Sequence, residues 1–372
     1  MKQVTISTDR WYFRQNQGTE DMWRVKQVGE AKALATGLAT GLATGLATRP
    51  ATRLALALVG FTGPLACVVL LGAAVPAFAD TYPLPPDNEA VVGEPEEVLA
   101  AHDDTLIDLG RRHGLGFEEI VNANPGVNPW LPGAGTRIRL PKRRILPDAP
   151  REGIVINLAE HRLYYYPVPK VPEPRVVISY PVSVGKMDWS TPIGLTRIAM
   201  KIRNPTWTPP ESVRQEHLKN GEVLPKVVPA GPDNPLGLFA MRLAIPGGAY
   251  MIHGTNKPAG VGMQVTHGCM RLYPEDIEAL FAMVTEGTPV HIVNQPHKTG
   301  WRRGQLYVEV HPPLESTDSR IVDPDLQALV RLLSRQAVVQ PVAVNWPQAE
   351  VVYAAAAGLA TAVAHNDSAG VR

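Results

Sequence analysis

This 372-residue sequence predicts a mainly β domain with one packed helix, preceded by a small α+β unit. Three observations lead there. Glycine and proline are plentiful (32 and 36) while charged residues make up only 19%, a balance that suits strands and turns better than a helical bundle. Apolar and polar residues alternate in short runs through 151–312, the period of half-buried strands. Between 80 and 150 the spacing instead fits two short helices closed by a strand. The formal net charge is +1 and no basic block stands out, which argues against nucleic acid as a partner.

Residues 1–79 read as leader. Threonine recurs at 36, 40, 44, 48 and 52, a low-complexity repeat or translated sequence ahead of the true start. Arg49 and Arg53 precede the apolar run 54–79, which ends in Ala77-Phe78-Ala79. That ending predicts a signal peptide cleaved before Asp80 and an exported, periplasmic protein. The run is also long enough to span a bilayer, so an uncleaved anchor is the rival reading. Cys67 lies in this run, and Pro64 three residues before it argues against a lipidation box.

Residues 80–150 form the first unit and its linker. VLAAH would open it as a strand. Leu106, Leu109 and the methylenes of Arg112 follow a turn at Asp104. Gly116 to Asn122 carries Phe117, Ile120 and Val121, and TRIRLP closes the unit. Such a small core usually serves a binding module; a helical hairpin bracing the next domain is the alternative. In 151–312, IVINLAEHRLYYYP is a hairpin with its turn at Glu160-His161. RVVISYPVSVG, the residues after STPIG, GLFAMRLAI, AYMIHGT, TPVHIVN and GQLYVEVH supply further strands. PEDIEALFAMV is the clear helix, opened by Pro274, with Ile277, Leu280, Phe281 and Val284 on one face. Between Pro205 and Pro232, Trp207, Pro209, Pro210, Pro225 and Pro229 predict an ordered surface excursion. The extension 313–372 carries one apolar helix (PDLQALVRLLSRQAVV), a loosely docked alanine-rich helix (VVYAAAAGLATAVA) and a disordered end.

The chemistry concentrates in Met251–Leu280. The chain has two cysteines, and loss of the leader would leave Cys269 without a disulfide partner. A thiol attacks well at neutral pH only with a depressed pKa or an adjacent base. His253 ends a strand, and from a neighbouring strand it could take that proton. The carbonyl of Gly254 could hold its other nitrogen and fix the tautomer. His267 stands two residues before Cys269, close enough for contact only in an extended segment. Gly268 permits an unusual backbone angle before the thiol. The backbone N–H of Cys269, with that of Gly268 or Met270, could donate to an oxyanion. Arg271 could lower the thiol pKa or bind a substrate carboxylate. Thr266, Gly268 and Asn256 complete the candidate substrate contacts. Each residue has a plainer alternative: Cys269 as core packing, His253 as a hydrogen-bonded strand end, His267 as a brace for the turn. His253, His267 and Cys269 lack a zinc-site spacing, and no metal is expected.

HGTNKPAGVGMQVTHGCMR resembles the signature of the YkuD family, the L,D-transpeptidases. Thr266, His267, Gly268, Cys269 and Arg271 match it, with His253 at the base position and Gly254 at the position whose carbonyl orients that base. STPIG (190–194) and NPLG (234–237) match flanking motifs of the periplasmic subgroup. The resemblance covers about 151–312 and implies a YkuD-like β-sandwich. It also implies a thioester between Cys269 and the meso-diaminopimelate of a peptidoglycan tetrapeptide stem, and transfer to an amine. That amine is another stem's diaminopimelate or a lysine of an outer-membrane lipoprotein; water would give carboxypeptidase activity. A non-catalytic wall-binding protein is the competing reading. No cofactor is implied, and carbapenems would acylate the cysteine. DDTLIDLGRRHGLGFEEIVNANPGV with LPGAGTRIRLP resembles a LysM domain, which implies a grip on N-acetylglucosamine-containing glycan strands.

Overall fold

A computed structural model of the chain describes residues 79–170, 172–186, 191–246, 250–315 and 325–365. The leader with Cys67, Ser190 and the last seven residues lie outside the described residues.

Strands β1 (Asp80–Pro83) and β2 (Val91–Val92) lead into a βααβ unit: β3 (Glu96–Leu99), α1 (Leu106–Arg112), α2 (Phe117–Ala123) and β4 (Arg137–Leu140). Thr105 caps α1 by accepting from the Asp108 N–H, one of the donors a helix start leaves unpaired. β3 and β4 pair antiparallel, and Leu106, Leu109, Leu115, Ile120, Ile138 and Leu140 make the small core. The opening strand ends at Leu99, so it begins earlier than VLAAH suggests. Next come β5 (Arg144–Ile145), β6 (Gly153–Asn157), β7 (Arg162–Tyr166), β8 (Val176–Pro181), β9 (Val184–Gly185) and β10 (Gly194–Arg203). The β6–β7 turn closes on His161 in the left-handed region (φ 53). Helix α3 (Glu211–Lys219) sits inside the proline-rich excursion, where alternation and apolar periodicity are both weak. β11 (Phe239–Leu243), β12 (Met251–His253), β13 (Gln264–Thr266), β14 (Met270–Arg271), α4 (Pro274–Met283) and β15 (Pro289–Val293) complete the main body.

Nine strands form one curled mixed sheet in the order β1-β8-β7-β6-β15-β10-β11-β12-β14. β6 pairs parallel with β15, and β12 parallel with β14. The packed helix α4 lays Ile277, Leu280 and Phe281 against Ile252, Met270 and Leu272, as its periodicity predicts. β1 adds an edge to this sheet by pairing with β8, so Asp80–Pro83 is part of the large body.

The remaining elements, β16 (His297–Arg302), β17 (Gln305–Val310), α5 (Leu326–Val339), α6 (Trp346–Ala355) and β18 (Thr361–His365), form a three-stranded antiparallel sheet with its own helix-covered core. The alanine-rich stretch expected to be one helix stops at Ala355. Ala356 (φ 42) and Gly358 (φ 64) turn the chain left-handed, and Thr361–His365 then pairs with β17. Helix propensity lost to strand pairing that buries Val363.

The βααβ unit is tied into the large body by a buried ionic network. Arg162, fully buried, donates to Glu119 (2.8 Å) and to the Gly114 carbonyl (3.1 Å). Arg144 also pairs with Glu119, and Lys142 reaches Asp80 at 2.5 Å. A second network under β17 joins Lys298 to Glu160 and Glu309, and His311 to Glu309 (2.7 Å). Glu160, Glu309 and His311 bring ligand atoms within 4.8 Å of one another. The Lys298 ammonium already bridges both carboxylates, so the cluster reads as an ion-pair network.

Candidate active site

β12 and β14 build the site. They pair parallel, with Ile252 opposite Met270 and His253 opposite Arg271. Ile252 and Met270 are fully buried in the core beneath the sheet. Alternation therefore turns His253 and Arg271 to the other face. Cys269 immediately precedes β14, and its thiol takes a backbone hydrogen bond from Met251, the first residue of β12. The electrostatics agree: Arg271 acts on both the His253 imidazole and the Cys269 thiol.

His253 is 4% exposed, and its Nδ1 lies 2.7 Å from the Gly254 carbonyl oxygen. A carbonyl only accepts, so Nδ1 carries the proton and Nε2 keeps its lone pair. Gly254 is closely packed: an added Cβ would meet Ile277 Cγ2 at 3.0 Å and the Leu236 carbonyl at 3.4 Å. Burial, with help from Arg271, pushes the imidazole down to about 3. Burial also pushes the Cys269 thiol up, against a backbone hydrogen bond from Met251 and the Arg271 charge, both of which pull it down. Arg271 therefore acts in the direction the sequence suggested, but burial outweighs it. Burial thus favours the uncharged form of each group.

The segment around the thiol is braced from several sides. Gly268 adopts φ 94, the left-handed conformation expected of it. Thr266, 3% exposed, donates its hydroxyl to the Cys269 carbonyl at 2.6 Å. Thr191, also buried, donates to the Gly268 carbonyl at 3.0 Å. This explains the threonine of STPIG: it supports the thiol segment from β10's side. NPLG supports the turn after His253. The Asn234 side chain donates to the Pro205 carbonyl (2.8 Å), and Gly237 (φ 68) packs so tightly that a Cβ would meet the Thr255 nitrogen at 2.9 Å.

His267 turns to a partner that periodicity did not announce. Its Nε2 lies 2.7 Å from Glu216 Oε2 on α3, and Glu216 Oε1 accepts from Lys186 Nζ at 2.5 Å. The Lys186 and His267 hydrogen bonds hold the Glu216 carboxyl down at about 2, outweighing its partial burial. The excursion thus reaches back to the thiol segment. Arg271 is half-buried, and its Nε is shielded from solvent without a hydrogen-bond partner. Asn256 is exposed in the loop after β12.

The L,D-transpeptidase catalytic domain (YkuD) family matches residues 151–292. The chain is 45% identical over 260 residues to YcfS of Escherichia coli K12, covering 69% of this chain and 79% of that protein. It is 40% identical over 277 residues to YbiS of the same organism (73% and 88%), and 40% identical over 279 residues to ErfK/SrfK (72% and 88%). All three bear the name L,D-transpeptidase. No described helix is long and apolar enough to cross a membrane.

Proposed function

The chain belongs to the L,D-transpeptidase family, and from that premise we propose that it transfers peptidoglycan stem peptides through a thioester on Cys269. What supports this reading is the β12–β14 pairing, which sets His253 opposite Arg271, two residues after Cys269, with the Gly254 carbonyl fixing the imidazole tautomer.

In the first half-reaction the sulfur of Cys269 attacks the carbonyl of the meso-diaminopimelate at position 3 of a tetrapeptide stem. Nε2 of His253 takes the thiol proton as the C–S bond forms. Burial disfavours both the thiolate and the imidazolium, so the proton passes as the sulfur attacks. The backbone N–H groups at Gly268–Cys269 donate to the tetrahedral oxyanion. The intermediate collapses, the C–N bond breaks, and D-alanine leaves with the proton from the imidazolium. In the second half-reaction an acceptor amine attacks the thioester, gives its proton to His253, and releases the thiol. A diaminopimelate acceptor yields a 3→3 cross-link, a lipoprotein lysine yields an anchored protein, and water yields a tripeptide. Arg271, with its unpartnered Nε, suits a stem-peptide carboxylate. The same thiol is the atom a carbapenem would acylate.

The βααβ unit acts as a LysM-like grip on glycan strands, raising the local concentration of stems in an exported, periplasmic enzyme. Trp130, stacked near Phe117 (ring centroids 6.2 Å), and Leu131, 66% exposed, lie on its α2–β4 loop. Incubation with a disaccharide-tetrapeptide followed by mass analysis tests the reading. Cross-linked dimer with released D-alanine is expected; free tripeptide alone would make hydrolysis the main reaction, and no product would favour a binding protein.

A further inference from the structure

His253 and Cys269 are joined by a surface segment, and the middle of that segment is held by the βααβ unit. Phe117 N–H donates to the Val261 carbonyl at 3.0 Å, and Glu118 N–H to the Gly262 carbonyl at 3.1 Å. These are donors that the start of α2 leaves unpaired within the helix. The Glu118 side chain completes the clasp: its Oε1 accepts from Gln264 N–H at 3.1 Å, while Oε2 lies 3.6 Å from His161 Nδ1. Gly116 and Gly262 touch backbone to backbone, since a Cβ on Gly262 would meet the Gly116 Cα at 2.3 Å. On either side of the clasp, Arg111 grips Glu275 through two bonds (2.8 and 2.9 Å), and Tyr273 O–H donates to the Leu115 carbonyl at 3.1 Å.

Gln264 is the first residue of β13, and Thr266 at its end holds the Cys269 carbonyl. The path from Glu118 to the thiol is therefore one short, hydrogen-bonded stretch of backbone. Resting on the transpeptidase reading, we propose that Glu118 is a positioning residue for the thiol step. The βααβ unit is then part of the frame that aims Cys269 at the stem carbonyl, in addition to any role in holding glycan. Misplacing a reacting atom by an ångström can cost on the order of 10²-fold in rate, so loss of one clasp bond should be visible in turnover.

The test compares wild type, Glu118→Ala and Glu118→Gln as full-length proteins on a soluble tetrapeptide that carries no glycan. Glutamine keeps an oxygen that can accept from Gln264 N–H; alanine does not. The expected result is a fall in kcat on the order of tenfold for alanine, with KM and the unfolding midpoint near wild type and most of the rate restored by glutamine. Unchanged kcat in Glu118→Ala would overturn the proposal. So would a loss that tracks the unfolding midpoint and is not rescued by glutamine, because that describes a brace alone. Alkylation of Cys269 by iodoacetamide runs alongside and needs no turnover. If wild type alkylates but forms neither transfer nor hydrolysis product, the transpeptidase reading fails while the clasp is still tested. Slower alkylation in the alanine variant than in the glutamine variant supports it, and equal or faster alkylation rejects it.

Discussion

Burial sets the chemistry of Cys269 and His253. An imidazole held at about 3 stays a free base through the acidic range in which an ordinary histidine would be protonated. The acid limb of kcat/KM should therefore fall well below pH 6.5, and a pH–rate profile with a limb near 6.5 would contradict the burial argument. Cys269→Ala should abolish turnover, and His253→Ala should remove nearly all of it, each measured as D-alanine release. Asp276 offers a separate test by stability. Burial, then the neighbouring Glu275 charge, push its carboxyl up to about 8, and neither oxygen has a hydrogen-bond partner. The unfolded chain ionises this group near its ordinary 3.8 while the folded chain keeps the proton, so folding loses stability as pH rises from about 4 to about 8. Asp276→Asn should raise the unfolding midpoint at pH 8 by a few degrees, roughly 2–4 °C per kcal/mol gained, and by little at pH 4. Equal gains at both values would reject the linkage. The positive φ of Gly268 and the Gly254 carbonyl on His253 were legible because each local geometry demands a residue type. The bond from Thr191 to the Gly268 carbonyl was not, because it joins segments 77 residues apart, and neither was the burial of Asp276.

Between elements, the excursion 205–232 and the thiol segment meet at Glu216. Its bonds to Lys186 and His267 predict that Glu216→Ala frees α3 while leaving the core intact. Hydrogen exchange of residues 211–219 should speed up several-fold, with faster tryptic cleavage after Arg214 and Lys219; unchanged exchange would mean that the excursion is held by its own packing. Proline content was enough to predict order here. It could not reveal a helix whose only buried residue is Val213, because no apolar face announces it. The strands of the main sheet were readable from alternation, and α4 from its one-sided apolar stripe. The alanine-rich segment misled in the opposite way: alanine favours helix locally, but Gly358 and the open edge of β17 decided the outcome.

At the scale of the whole molecule, the sequence separated a small unit from a large one more cleanly than the structure does. Composition and period change near 150, yet Asp80–Pro83 adds an edge strand to the large sheet, and Glu119 neutralises Arg162 on β7 inside it. Deleting 80–141 would strip Arg162 of Glu119, Asp80 and the Gly114 carbonyl, and would remove an edge strand from the large sheet. The truncated chain should unfold at markedly lower temperature, and reaction on small soluble stems should fall with it; a truncation as stable as wild type would refute the interlocked description. Sacculus binding by the full chain, weakened by substitution of Trp130, would tie the glycan role to the α2–β4 loop. The whole description turns on a covalent bond to one sulfur. Peptide mapping after incubation with a disaccharide-tetrapeptide should find the stem, less its terminal D-alanine, on Cys269, and no such adduct in His253→Ala over the same interval. Product formed by Cys269→Ala, or an adduct mapped to another residue, would contradict it.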